Sequence, residues 1–139
     1  MTKHNVYLGL GANLGDKEQT IREAIKRIGE QIGYIISQSA LHTTEPWGFC
    51  SDNNFVNAVV CCQTTLTPRQ VLEHTQSIER QLGRTSKTAN GEYHDRMIDI
   101  DILLYDDYVV DEPDLKIPHP LMEEREFVMK PLKEIMNSK

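Results

Sequence analysis

Arg96-Met97-Ile98-Asp99-Ile100-Asp101-Ile102-Leu103-Leu104 sets two aspartates two residues apart inside an apolar, β-branched run. In an extended chain, side chains alternate between faces, so Asp99 and Asp101 share one face with Cα atoms about 6.6 Å apart. Ile98, Ile100, Ile102 and Leu104 share the other, which reads as core. Aspartate has low strand propensity and an ionised group is costly to bury unpaired, so a hard divalent cation such as Mg2+ accounts for the pair. Arg96, just upstream, suits a phosphate oxygen. The same spacing also fits the solvated face of an edge strand with Arg96 as its salt-bridge partner, and spacing alone leaves both readings open.

Working outward, Val6 to Leu10 reads as a short buried strand running into a glycine-punctuated turn, Gly9-Leu10-Gly11-Ala12-Asn13-Leu14-Gly15. A helix follows: Asp16 and Gln19 resemble a capping box, Ile21, Ile25, Ile28 and Ile32 recur at helical spacing, and Gly33 is its stop. Residues 34–43 and 55–63 read as strands separated by a loop with turn chemistry. Thr67-Pro68-Arg69-Gln70 supplies a helix N-cap, proline at N1 and glutamine at N3, and Val71, Leu72, Thr75, Ile78 and Leu82 form a stripe ending at Gly83. After a polar loop, 84–95, comes the aspartate strand; Asp106-Asp107 then reads as a tight turn, and the tail from Pro118 as short helical stretches between prolines. The order β-α-β-β-α-β predicts a ferredoxin-like α+β sandwich, an antiparallel sheet with two helices on one face and the other face open to a ligand. The loops at 44–54 and 84–95 are long enough to act as active-site lids.

The chain has 139 residues, which suits one domain over residues 1–139. Its 39% hydrophobic and 26% charged residues are those of an ordinary globular protein, and a net charge of -6 speaks against a nucleic-acid partner. Cys50, Cys61 and Cys62 form neither a CxxC pair nor an even disulfide framework; the adjacent Cys61 and Cys62 read as small buried hydrophobes facing opposite ways in a reducing cytosol. No apolar run approaches the ~20 residues of a membrane span, and a cytoplasmic protein is expected.

The spacing G-x-G-x-x-x-G lacks the rest of a dinucleotide fingerprint, so the glycines read as a structural strand-to-helix turn. Arg84, Lys87 and Arg96 before the aspartate strand, with His119 and Arg125 after it, together suit a polyphosphate. Trp47, Phe55, Asn57, Tyr93 and Phe127 make a second group, suited to a flat heteroaromatic ring stacked between aromatics and read by an amide, although Phe55 taken alone suits the core.

Gly9-Leu10-Gly11-Ala12-Asn13-Leu14-Gly15, Asn57-Ala58, His74-Thr75-Gln76 with Ile78-Glu79, Gly83-Arg84, Arg96-x-x-Asp99-Ile100-Asp101-Ile102-Leu103 and Pro118-His119 resemble, in that order, the 6-hydroxymethyl-7,8-dihydropterin pyrophosphokinase family. The resemblance implies a ferredoxin-like fold and transfer of the β,γ-pyrophosphoryl group of ATP to the pterin hydroxymethyl group, releasing AMP, in folate biosynthesis. It implies Asp99 and Asp101 as ligands of two Mg2+ ions and Arg84 and Arg96 as phosphate-contacting catalytic residues. Leu72, Gln76, Glu79, Lys87, Ile102, His119 and Arg125 fall on the ATP side, with Leu72 and Ile102 against the adenine. Thr44, Glu45, Trp47, Phe55, Asn57, Tyr93 and Phe127 fall, with Asp99, on the pterin side. His94-Asp95 precedes Arg96 where the family usually has smaller residues, in a loop two residues longer than in shorter members. The alternative is another Mg-dependent nucleotide-using transferase on the same fold; the assembly state expected is a monomer or weak homodimer.

Overall fold

The computed structural model describes residues 2–12, 16–44, 55–83, 98–120 and 122–136, with backbone alone for Thr44, Glu126 and Phe127. In chain order it contains β1 (His4–Ala12), α1 (Lys17–Gln31), β2 (Tyr34–Gln38), β3 (His42–Thr44), β4 (Phe55–Thr64), α2 (Pro68–Gln81), β5 (Asp99–Tyr105), β6 (Val110–Glu112), β7 (Leu115–Ile117), a 3-10 turn (Met122–Glu124) and α3 (Glu126–Met136). The main sheet runs β2-β4-β1-β5, with β3 also beside β4, and all its pairings are antiparallel. The expected β-α-β-β-α-β order is present within it.

Helix boundaries follow the capping chemistry. Asp16 accepts from the Gln19 amide at 3.3 Å, and Thr67 and Gln70 form a reciprocal capping box with Pro68 in the first turn. Gly83 has φ 103°, the left-handed conformation expected after a helix end. Gly33 ends α1 for another reason. A Cβ there would lie 2.1 Å from the Gln63 carbonyl oxygen, so glycine is required by the close approach of β4.

Three expectations about the strands need correction. The predicted strand over 34–43 is two pieces along the same edge of β4, separated where Ser39 interposes its hydroxyl, which accepts from the Val59 amide at 3.0 Å. The predicted glycine turn begins too early: Gly9 and Gly11 lie inside β1, paired on both sides. Finally, β5 carries an irregularity in its pairing with β1, where Leu8 faces Ile102 and Tyr7 faces Leu104. That extra residue resets the alternation. Leu104 therefore packs with Leu103 on the second face instead of joining Ile98, Ile100 and Ile102, and Tyr105 returns to the helix side.

The core has two parts. Val6, Leu8, Ile21, Ile28, Val60, Cys62, Ile78, Ile100 and Ile102 are among those that fill the space between the sheet and α1 and α2. Val59, Cys61 and Leu103 meet Met122, Val128, Leu132 and Ile135 from the tail on the opposite face. Cys61 and Cys62 are thus buried and face opposite ways, as expected. The tail forms an eleven-residue helix that continues through Pro131, because burying Val128, Leu132 and Ile135 offsets the lost backbone hydrogen bond. The second face is consequently only partly available to a ligand.

Glu134 fastens α3 to the β2–β3 edge, accepting from the Ala40 amide at 3.1 Å and bonding His42 Nε2 at 2.9 Å. The His42 contact, followed by the Ala40 amide, holds the Glu134 carboxyl below its ordinary 4.5. A lowered folded-state value means stability present above the unfolded value and lost as pH falls through the folded one. Glu134→Gln should therefore lower the unfolding free energy near neutral pH by under about 1 kcal/mol, as suits an exposed pair. That difference should shrink towards zero as pH falls through the lowered range of the Glu134 carboxyl, checked by urea titrations from neutral to acid pH.

Candidate active site

The second sheet face changes character along its length. Alternation puts Tyr7, Gly9 and Gly11 of β1, Phe55, Asn57, Val59 and Cys61 of β4, and Asp99, Asp101 and Leu103 of β5 on it. The register aligns Asn57, Gly11 and Asp99 in one row across three strands, with Val59, Gly9 and Asp101 in the next. The apolar half, around Val59, Cys61 and Leu103, lies under α3. The polar half holds the amide, the carboxylates and Phe55.

Gly11 is the floor between Asn57 and Asp99. With strands ~4.8 Å apart, their Cα atoms stand roughly 10 Å from each other, across a residue with no side chain. A Cβ on Gly11 would lie 3.0 Å from Asn57 Oδ1 and 3.7 Å from Phe55 Cδ1. The glycine thus permits Asn57, only 6% exposed, to lie close over β1. Gly11→Ala should displace that amide and weaken binding of a ring ligand about tenfold, as for one impaired hydrogen bond, with little loss of stability. Titration of the hydroxymethyl dihydropterin that the sequence resemblance implies into the folded variant checks this; unchanged affinity would contradict the role of Gly11.

Asp99 and Asp101 are half-buried, opposite the buried Ile100 and Ile102. Glu79 on α2 is 8% exposed, and its Oε2 accepts from the Ile100 amide at 2.7 Å. His119 comes to the same end of the sheet because its amide donates to the Leu103 carbonyl at 3.0 Å. Burial lowers the His119 pKa, nearby Arg125 pushes the same way, and Asp99 opposes them. The imidazole is therefore held neutral near pH 7. Arg125 stands at the head of α3, its carbonyl accepting from the amides of Val128 and Met129. Asp99, His119 and Arg125, chosen from separate parts of the sequence, are thus electrostatic neighbours.

The aspartates fit a Mg2+ site by their chemistry. They are hard oxygen donors on one strand face, and among the described residues no cluster of three or more His, Cys, Asp or Glu side chains suits a closed protein cage. Mg2+ characteristically takes one or two carboxylates and completes its shell with water and substrate phosphates.

On α2, Leu72 packs against the helix-side core and Gln76 is exposed. Ile102 is 6% exposed with its side chain in that core, so at the site it can offer only the backbone of the outer strand. Thr44 ends β3 opposite Phe55, and Phe127 lies in the first turn of α3. Glu45, Trp47, Arg84, Lys87, Tyr93 and Arg96 lie outside the described residues. Sequence reading missed Gly9 and Gly11 as site residues, although their spacing of two within an apolar run is itself the mark of one strand face.

Comparison with known proteins supplies the family. Residues 7–137 match the model of the 7,8-dihydro-6-hydroxymethylpterin-pyrophosphokinase family. The chain belongs to that family. A 2-amino-4-hydroxy-6-hydroxymethyldihydropteridine pyrophosphokinase of Porphyromonas gingivalis is 47% identical over 131 residues, covering 94% of this chain and 89% of the relative. One from Aquifex aeolicus is 41% identical, covering 94% and 79%. Among solved structures, a Plasmodium falciparum HPPK-DHPS superposes with a TM-score of 0.75 at 17% identity, over 96% of this chain and 40% of that longer one. At that identity the likeness bears on the fold alone. Among the described residues, no helix of this pyrophosphokinase-family chain is long and apolar enough to cross a membrane.

Proposed function

We propose that this chain transfers the β,γ-pyrophosphoryl group of ATP to the hydroxymethyl group of 6-hydroxymethyl-7,8-dihydropterin, releasing AMP, in cytoplasmic folate biosynthesis. The observation that carries this reading is the Asn57–Gly11–Asp99 row. A buried amide and a carboxylate flank a bare strip of backbone suited to a flat ring, and the carboxylate belongs to a pair suited to the cation of a nucleotide.

Phosphoryl transfer asks mainly for positioning and charge neutralisation. Asp99 and Asp101 would hold two Mg2+ ions. When bound, such ions neutralise triphosphate oxygens and make an attacking hydroxyl more acidic. Asn57 would read the ring edge with its amide beside Phe55, and the family resemblance assigns Thr44, Glu45, Trp47, Tyr93 and Phe127 to the same ligand. By the same resemblance Arg84 and Arg96 would neutralise the transferred and leaving phosphates, where a planar guanidinium fits better than a lysine. Gln76, Lys87, His119 and Arg125 hold the rest of the nucleotide, with Leu72 and the Ile102 backbone near the base. A neutral His119 can donate one hydrogen bond to a phosphate oxygen without changing the site's charge.

Incubation with ATP, Mg2+ and the hydroxymethyl pterin tests the proposal by its products. Stoichiometric AMP and pterin diphosphate are expected. Pyrophosphate or ADP in place of AMP would overturn it.

A further inference from the structure

We infer that Glu79 is a positioning residue that sets the aim of the Asp99–Asp101 pair through the backbone of β5. The inference rests on the proposed reading of those aspartates as cation ligands. Glu79 lies in the last turn of α2, where the helix dipole disfavours a carboxylate, and it is 8% exposed, where burial disfavours one further. Its position brings it to the neighbouring strand: Oε2 accepts from the Ile100 amide at 2.7 Å. Ile100 is the residue between the two aspartates.

Among the described residues β5 is the outer strand of the sheet, and none of the described strands lies beyond it to accept from its far-side amides. Such an edge is where a strand twists or frays. Glu79 supplies the missing acceptor at the peptide that separates Asp99 from Asp101. On the other flank the strand is paired to β1, where Asp99 and Asp101 face Gly11 and Gly9, and the Ile100 side chain is buried at 5% exposure. Held by Glu79 on one edge and by its buried side chain, Ile100 fixes the direction of the two carboxylates on the opposite face. The grip is transmitted from a well-anchored element: α2 is fixed by its capping box and by the buried Val71, Thr75 and Ile78. Glu79, which the family resemblance puts on the ATP side, thus acts on the aspartate pair through the backbone of β5.

Glutamine at position 79 keeps an oxygen that can accept from the amide and removes the charge; alanine removes the acceptor. The test uses Mn2+ as a paramagnetic stand-in for Mg2+, its binding to the full chain followed by electron paramagnetic resonance with a non-hydrolysable ATP analogue, alongside amide exchange at Ile100. Glu79→Ala should weaken Mn2+ binding ~10–100-fold, the range seen when groups that orient metal ligands are removed, and should lose Ile100 amide protection. Glu79→Gln should leave both nearly unchanged. A folded Glu79→Ala that binds Mn2+ like the wild type, while Asp101→Ala does not, overturns the positioning role and leaves the aspartate reading standing. Should Asp101→Ala also bind normally, both fall. Glu79→Gln provides the decision even if the alanine variant fails to fold, since lost affinity with intact Ile100 protection would assign Glu79 a direct charge contact instead.

Discussion

Asp101→Ala is expected to lower AMP formation by well over ~10²-fold while the protein keeps its secondary structure and melting temperature. Removing groups that merely orient metal ligands costs about 10–100-fold, so removing a ligand itself should cost more. The fold should survive because the Asp101 side chain lies outside both apolar clusters, while Ile100 and Ile102 keep β5 seated. The β1 pairing of Gly9 with residue 101 is made by backbone and is indifferent to the side chain. Turnover close to wild type at saturating Mg2+, in a protein folded by circular dichroism, would remove Asp101 from the metal site. A collapse of stability together with activity would instead make it a structural residue.

Gly33→Ala should have the largest effect on stability and almost none on chemistry. The added Cβ would lie 2.1 Å from the Gln63 oxygen, 2.8 Å from its carbonyl carbon and 3.0 Å from Thr64 Cα. All three are backbone of β4, which is paired to β1 on one side and β2 on the other and cannot step aside. Thr64 is further committed, its hydroxyl donating to the Ile32 carbonyl at 2.6 Å and accepting from the Leu66 amide at 3.1 Å. Overpacking a tight site costs about 1–3 kcal/mol and sometimes more, and rigid backbone on every contact puts this one at the upper end. With ~3 °C per kcal/mol for a chain of this length, a drop near 10 °C is expected by calorimetry. AMP formation per folded molecule should be unchanged, because Gly33 lies at the end of β4 remote from Phe55 and Asn57. A melting temperature within a degree or two of wild type would contradict the clash.

Much of the architecture is written in local chemistry. The capping residues Asp16, Thr67 and Gln70, the proline at position 68 and the stop at Gly83 act within one helical turn, so the chain announces α1 and α2 without reference to anything distant. Alternation places Asp99 and Asp101 opposite Ile98, Ile100 and Ile102 for the same reason. Gly33 is instructive because its position as a helix stop was legible while its cause was not: the constraint comes from a strand thirty residues later. Likewise Leu104 breaks the alternation only because β5 must match β1 across an irregular register. The helix through Pro131 goes against its local signal because burial on the second sheet face outweighs one missing amide.

The sequence by itself determined the order of elements, the carboxylate pair and the family, since caps, two-residue alternation and a motif are properties of neighbouring residues. Tertiary structure alone decided that Gly11 lies between Asn57 and Asp99, that α3 closes half of the sheet face, and that Glu79 holds the amide between the aspartates. These depend on strand register and helix docking, which join residues from 21 positions apart (Glu79 and Ile100) to 88 (Gly11 and Asp99). No short-range pattern encodes such contacts; they form when the apolar faces of separate elements are buried together.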